Sequence, residues 1–282
     1  MRNSSNQNPL LQLRNQIDQI DNQIIELLNQ RIKLVKSVGA YKQSVNENFF
    51  IKSAREADMI KALLPKVDKD IPRSTIVNIW RKIITSSNCL EQSLKIAIHN
   101  PSKIIDYGYL VKEYYGDFIP LTFHDSISNV IAEIEKGESQ IGIFTLPNAR
   151  EDKLENWWIN LANNQSGLRV FAKIPFVGES RYNLVAIAKK EAEKSSEDKT
   201  LLSIEVLRDV SKHQVEEALS SNSFEFKILQ SNTLEQIHNI TFYLVEVEGF
   251  FDENSSQIAG LFRNETKPFV KIIGHFAKTI DI

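Results

Sequence analysis

Residues 9 to 44 read PLLQLRNQIDQIDNQIIELLNQRIKLVKSVGAYKQS, and the spacing of their apolar side chains decides the first element of the fold. At intervals of three and four a seam runs Leu10, Leu13, Ile17, Ile20, Ile24, Leu27, Arg31, Leu34, Val38 and Tyr41. That is a heptad face on one long helix. Asn8 followed by Pro9 is a good helix start, and Asn46-Glu47-Asn48 breaks the pattern. Gln, Asp, Glu, Asn and Lys fill the positions off the seam. A helix of this length without a core of its own needs a partner, and the simplest source is a second copy of the chain.

Arg31 stands where a leucine belongs. A guanidinium keeps its proton, so on an apolar seam it finds an anion or leaves a buried charge unpaired, at a cost of several kcal/mol. At about 100° per residue, Lys42 lies only about 20° round from Arg31 and three turns further along. Two cations on one face call for something negative. The plainer alternative is that Arg31 pairs with a structural carboxylate such as Glu91, or lays its stem on the seam and reaches water.

A chain of 282 residues has room for two or three domains, and 42% hydrophobic with 25% charged is the profile of a soluble globular protein. The formal net charge is −2 with both signs spread along the chain, so no nucleic-acid footprint is visible. Cys89 is the single cysteine, which excludes an intrachain disulfide and fits a reducing compartment. With no Cys or His cluster at ligand spacing, no metal is expected. Met1 to Asn8 is polar and no run of 18 apolar residues occurs, so the expectation is a cytoplasmic protein without a membrane segment.

Two more helices complete an all-helical first third. Ser53 to Leu63 reads as a short helix with Ser53 as N-cap and Glu56 closing a capping box. After Ile71-Pro72, residues Ile76, Ile79, Trp80, Ile83, Ile84, Ser87 and Leu90 recur at helical spacing to about Leu94. Ser87 and Glu91 sit one turn apart on the inner face.

The order Leu13-Arg14-x-x-Ile17-Asp18-x-x-Asp21, Leu27-Leu28-x-x-Arg31, Val38-Gly39-x-x-Lys42, Arg55-Glu56 and Ser87-x-x-x-Glu91-Gln92 resembles the all-helical chorismate mutase family. The resemblance implies two chains intertwined along the first helix, each active site borrowing Arg14 from the other. It also implies a reaction without cofactor, the pericyclic rearrangement of chorismate to prephenate. Holding a flexible dicarboxylate in its compact shape calls for two arginines, and the breaking ether oxygen calls for fixed donors. By the resemblance, Arg14 and Arg31 hold the carboxylates, Lys42 reaches the ether oxygen and a carboxylate, Glu56 the ring hydroxyl and Ser87 a carboxylate, with Arg55 bracing the group. Glu91, where some members carry glutamine, is the second donor to the ether oxygen and must hold a proton to donate. Lys52 stands where some relatives have an acidic residue.

From 96 to 196 the period changes. Lys95 to Ile98, Ile119 to Phe123, Gln140 to Leu146 and Leu168 to Phe176 read as strands, and Lys103 to Tyr115, Ser126 to Lys136 and Asp152 to Asn163 as helices, which predicts a parallel α/β layer. This order resembles the first lobe of a prephenate dehydratase in degenerate form. Ile98-His99-Asn100-Pro101-Ser102 replaces a glycine-rich start, Pro147-Asn148-Ala149 an expected Glu-Asn-Ser, and only Arg181 of Ser180-Arg181-Tyr182 fits a Thr-Arg-Phe motif. Arg181 is read as a surface or structural residue. The neighbours Trp157 and Trp158 cannot both face one core from a single helix, so one is expected at a domain or subunit contact.

From 197 to 282, strands at Leu201 to Leu207, Glu225 to Gln230, Thr241 to Val247 and Phe269 to Phe276, with helices at Lys212 to Ser220 and Ser255 to Phe262, predict a ferredoxin-like βαββαβ unit. It resembles the ACT regulatory domain, best at Phe242 to Gly249 and Val270 to Gly274, while Asp209-Val210-Ser211-Lys212 and Leu229-Gln230-Ser231-Asn232 depart from its effector motifs. Edge-to-edge dimerisation is the alternative role. His99, His124, His213, His238 and His275 are scattered and read as surface or capping residues. The expected protein is a multidomain chorismate mutase, with a helical domain at 1–95, a dehydratase-like lobe at 96–196 and an ACT-like domain at 197–282. The alternatives are a bifunctional mutase and dehydratase, or a non-catalytic dimeric sensor.

Overall fold

A computed structural model describes residues 8–45, 51–147, 156–163, 166–178, 180–234, 240–261 and 269–281. The expected break at Asn46-Glu47-Asn48, the Asn148-Ala149 pair, His238, the helix start at Asp152 and the helix end at Phe262 lie outside these residues. The chain divides into two compact units, one holding the first helix and Ser87–Ser93, the other holding Ile51–Ser86 and the chain from Leu94 onward.

In the first unit α1 (Pro9–Ser44) spans the expected stretch. Asn8 Oδ1 accepts the Leu10 N–H at 3.1 Å, and Pro9 has no N–H to leave unmet. The seam is not covered by its own chain. Leu27, Leu34 and Tyr41 are 63%, 70% and 68% exposed, and Gly39 is the one residue of α1 that is buried. Covering the nine apolar seam positions is worth on the order of 10 kcal/mol, at about 1.5–3 kcal/mol for each side chain fully buried.

In the second unit α2 (Ser53–Leu63) buries Ala54, Ala57 and Ile60. The capping box is not formed: Lys52 is the N-cap and no side chain caps the helix. Ser53 and Glu56 have tertiary partners instead, Lys190 and Arg81 respectively. α3 (Arg73–Glu91) ends three residues before Leu94. Leu94 is buried and leads into the first strand.

The strands build one nine-stranded sheet. β1 (Ile96–His99), α4 (Ile105–Tyr115), β2 (Leu121–His124), α5 (Ile127–Glu135) and β3 (Ile141–Leu146) form the expected parallel layer, with β1 between β2 and β3. The layer is then mixed rather than parallel, because β5 (Asn183–Lys189) lies antiparallel between β3 and β4 (Leu168–Ile174). Residues 184–188 are buried on both faces, so this strand has no alternation to reveal it.

β6 (Asp198–Leu207), α7 (Lys212–Ser221), β7 (Phe226–Leu234), β8 (Ile240–Glu248), α8 (Ser256–Gly260) and β9 (Phe269–Ala277) give the expected βαββαβ unit, its strands ordered β9-β6-β8-β7 and all antiparallel. β9 also meets β4 in parallel, with Val170 opposite Gly274. Gly274 has φ +151°, and any Cβ there would overlap the Val170 backbone, so glycine permits the junction.

α6 (Trp157–Asn163) corrects the reading of the tryptophan pair. Trp157 and Trp158 are 1% and 0% exposed and belong to one core. Of the seven residues of α6 only Asn160 and Asn163 are exposed, a polar edge narrow enough to leave both rings inside. Trp157 stacks on Phe144 at 5.4 Å and donates to the Thr145 carbonyl at 2.7 Å.

Under this layer Glu133 of α5 is buried and accepts from Lys95 Nζ at 2.9 Å, Ser139 Oγ at 2.7 Å, Thr122 Oγ1 at 2.9 Å and His124 Nε2. Burial pushes its carboxyl up, but the donors outweigh it and hold it down to about 2. A depressed carboxyl stabilises the fold above its unfolded value of 4.5, and that contribution is lost as pH falls toward 2. Glu133→Gln is therefore expected to cost about 3 kcal/mol at pH 7, with the deficit closing on acidification, as read by urea denaturation. A deficit independent of pH would contradict the assignment.

Candidate functional site

Two groups of the expected residues come together, one in each unit. In the first, Arg31 and Lys42 on α1 face Ser87 and Glu91. Arg31 Nη1 donates to Ser87 Oγ, and Lys42 Nζ donates to Glu91 Oε2 at 2.8 Å. The Lys42 and Glu91 side chains are 15% and 7% exposed, so the pair is largely shielded from water. Gly39 makes the approach possible, since a Cβ there would lie 3.1 Å from Glu91 Cγ.

Arg31 does not pair with Glu91, as the plainer reading supposed; Lys42 takes that carboxylate and leaves Arg31 the hydroxyl. Burial pushes the Arg31 guanidinium down from its ordinary value, yet a guanidinium remains charged at any working pH. A guanidinium has five N–H donors, and among the described residues only Ser87 meets those of Arg31. The cluster is thus two cations against one carboxylate, with a half-buried fork turned to a neutral partner. Such an arrangement has the chemistry to take an anion.

Arg14 is exposed on α1, seventeen residues before Arg31 and so about 26 Å away along the axis. It cannot reach Arg31's surroundings within its own chain.

In the second unit Glu56 Oε2 accepts from Arg81 Nη1 at 3.1 Å. Arg81 is 3% exposed, with its guanidinium carbon 4.3 Å from the Tyr114 ring centre and 4.6 Å from that of Phe176. Sequence reasoning passed over Arg81, although Val77, Arg81 and Ile84 repeat the signal that exposed Arg31, a cation on an apolar helical face. Arg55 is exposed on α2. Lys52, at the position acidic in some relatives, pairs with Glu193 at 3.3 Å.

His99 and His275 are buried rather than at the surface, and His275 Nε2 lies 2.6 Å from the Phe251 carbonyl oxygen. His124 is held in the Glu133 network, while His213 is exposed. Arg181 is exposed beside the Tyr182 ring, as read. Asn100, in place of the glycine-rich start, closes a turn by bonding the Ile104 carbonyl at 2.9 Å and the Ile104 N–H at 2.8 Å. Among the described residues no helix is long and apolar enough to cross a membrane.

Residues 13–92 match the family model of chorismate mutase type II. A chorismate mutase region is present in this chain. The match takes in both groups of residues. No curated protein sequence matches. Among solved structures, a quorum quenching acylase described as a novel type, GqqA, aligns at 14% identity over 67% of this chain and 96% of its own, with a TM-score of 0.51. A prephenate dehydratase from Streptococcus mutans aligns at 15% identity over 66% and 99%, and one from Staphylococcus aureus at 10% over 65% and 100%, both with TM-scores of 0.47. At such identities the likeness concerns the fold alone.

Proposed function

We propose that the protein is a homodimeric, cytoplasmic chorismate mutase, with the mutase domain at 1–95, a dehydratase-like lobe without activity of its own at 96–196 and an ACT-like domain at 197–282. The observation that carries this reading is the Arg31 guanidinium, half-buried and met only by a hydroxyl, beside a Lys42 whose carboxylate a substrate can replace. Chorismate brings two carboxylates. Arg31 takes one as a bidentate fork, with Ser87 as a second donor, and Arg14 of the other chain takes the second. The exposed seam of α1 supports the pairing, because a second α1 covers it and carries Arg14 across.

Rearrangement needs no nucleophile. It needs the substrate held with its reacting carbons in contact, and it needs donors at the ether oxygen as negative charge grows there. Lys42 supplies one donor from a fixed position on α1, and protonated Glu91 supplies the other. Glu56 accepts from the ring hydroxyl while Arg81 holds its carboxylate in place, and Arg55 braces the group.

The shared site makes a direct test possible. Arg14→Ala and Arg31→Ala proteins are each expected to be inactive, whereas dimers reassembled from an equal mixture recover about a quarter of the wild-type rate, since half of them keep one of two sites. No recovery in copurified mixed dimers would refute the shared site.

Glu91 gives a second test. Glu91→Gln keeps an N–H donor for the ether oxygen and is expected to retain most of the rate, whereas Glu91→Ala removes the donor and is expected to lower kcat about tenfold or more. A Glu91→Ala protein as active as the wild type would remove Glu91 from the mechanism.

A further inference from the structure

The second unit holds a cavity of about 210 Å³ between α3, α4 and the segment after β4. Its size is below the roughly 300–1,000 Å³ of drug-sized sites and equals the liquid volume of about seven waters, so it suits a small metabolite. Leu110, Tyr114, Phe176 and Val177 give it apolar walls, and Arg81 and Glu113 bring opposite charges to it.

Arg81 is the telling residue. Its Nη1 is held by Glu56 and its faces by two aromatic rings, so its plane is fixed. Its Nε–H is buried and has no hydrogen-bond partner. A donor buried without a partner is a standing cost to the fold. The edge containing Nε is the one that takes a carboxylate with two parallel hydrogen bonds. Glu113 accepts only a long bond from Asn78 Nδ2, at 3.4 Å, and pairs with no cation among the described residues. An anionic group, a cationic group and an apolar body are therefore all provided for within one small space.

We propose that this cavity binds a free α-amino acid with an apolar side chain, its carboxylate on the Nε edge of Arg81, its ammonium on Glu113 and its side chain against Leu110, Tyr114 and Phe176. Arg81 meets Glu56 through Nη1 and the cavity ligand through its Nε edge, no substrate group is placed in the cavity, and binding is measured without turnover, so the two readings fail separately.

Calorimetric titration of the full chain with L-leucine, L-phenylalanine and L-phenylalaninamide tests it. At least one of the two acids is expected to bind at about one per chain, and the amide, which lacks the carboxylate, not to bind. Glu113→Gln, at a half-buried position, is expected to weaken the acid about tenfold or more with the circular dichroism spectrum unchanged, as for a lost charge-assisted bond. Absence of binding by both acids at millimolar concentration, an amide bound as tightly as its acid, or an affinity untouched by Glu113→Gln would each overturn the proposal.

Discussion

A helix of thirty-six residues that buries only one of them in its own chain cannot persist in water on propensity alone. The apolar seam of α1 is the constraint from which the rest follows. Isoleucines and leucines at heptad spacing demand a second surface, and on the present reading a second α1 is that surface. Once two such helices lie together, a cation on the seam sits in a shielded place where its charge counts for more than it would in water. Arg31 and Lys42 occupy such places. In the proposed dimer the same burial that stabilises the pair of chains prepares the anion site.

The buried Arg81 and the half-buried Arg31 are answered in opposite ways. Arg81 has a carboxylate at 3.1 Å and an aromatic ring against each face, so its charge is answered within the fold. Among the described residues Arg31 is answered only by a hydroxyl. Keeping a guanidinium partly desolvated without a counter-ion lowers the stability of the unit, and function is the usual reason for such a departure from good packing. The Lys42–Glu91 pair nearby has the character of a placeholder. On the proposed reading a substrate carboxylate exchanges with Glu91 at Lys42 and gives the ammonium an anion in either state.

Much of this was legible in the chain because it is written in periods and spacings. The seam gave the extent of α1 and put Arg31 and Lys42 on one face, while Ser87 and Glu91 were set opposite them only by the family resemblance; the structure pairs Arg31 with Ser87 and Lys42 with Glu91. What escaped was set by packing at a distance. β5 is buried on both faces, and a short apolar run of that kind has no period to distinguish strand from helix. The Trp157–Trp158 pair was misjudged because α6 exposes only Asn160 and Asn163, which leaves both neighbouring rings within one core. Ser53 and Glu56 form a capping box only if nothing better is offered, and Lys190 and Arg81 offered something better. Arg81 itself was overlooked on the same kind of evidence that revealed Arg31. The junction at Gly274, where β4 and β9 join two smaller sheets into one, depends on a close approach between residues a hundred positions apart, and no local pattern announces it.

The central claim is that the fork of Arg31 is reserved for a carboxylate of chorismate. Its most direct measurement is kcat/KM for conversion of chorismate to prephenate by the full chain and by Arg31→Gln, which keeps a polar N–H donor but loses the charge and the bidentate fork. A loss of about 100-fold or more, with the folded state retained, is what the account predicts. An Arg31→Gln protein that turns over chorismate at the wild-type rate, or a wild-type chain that does not turn it over at all, would contradict it.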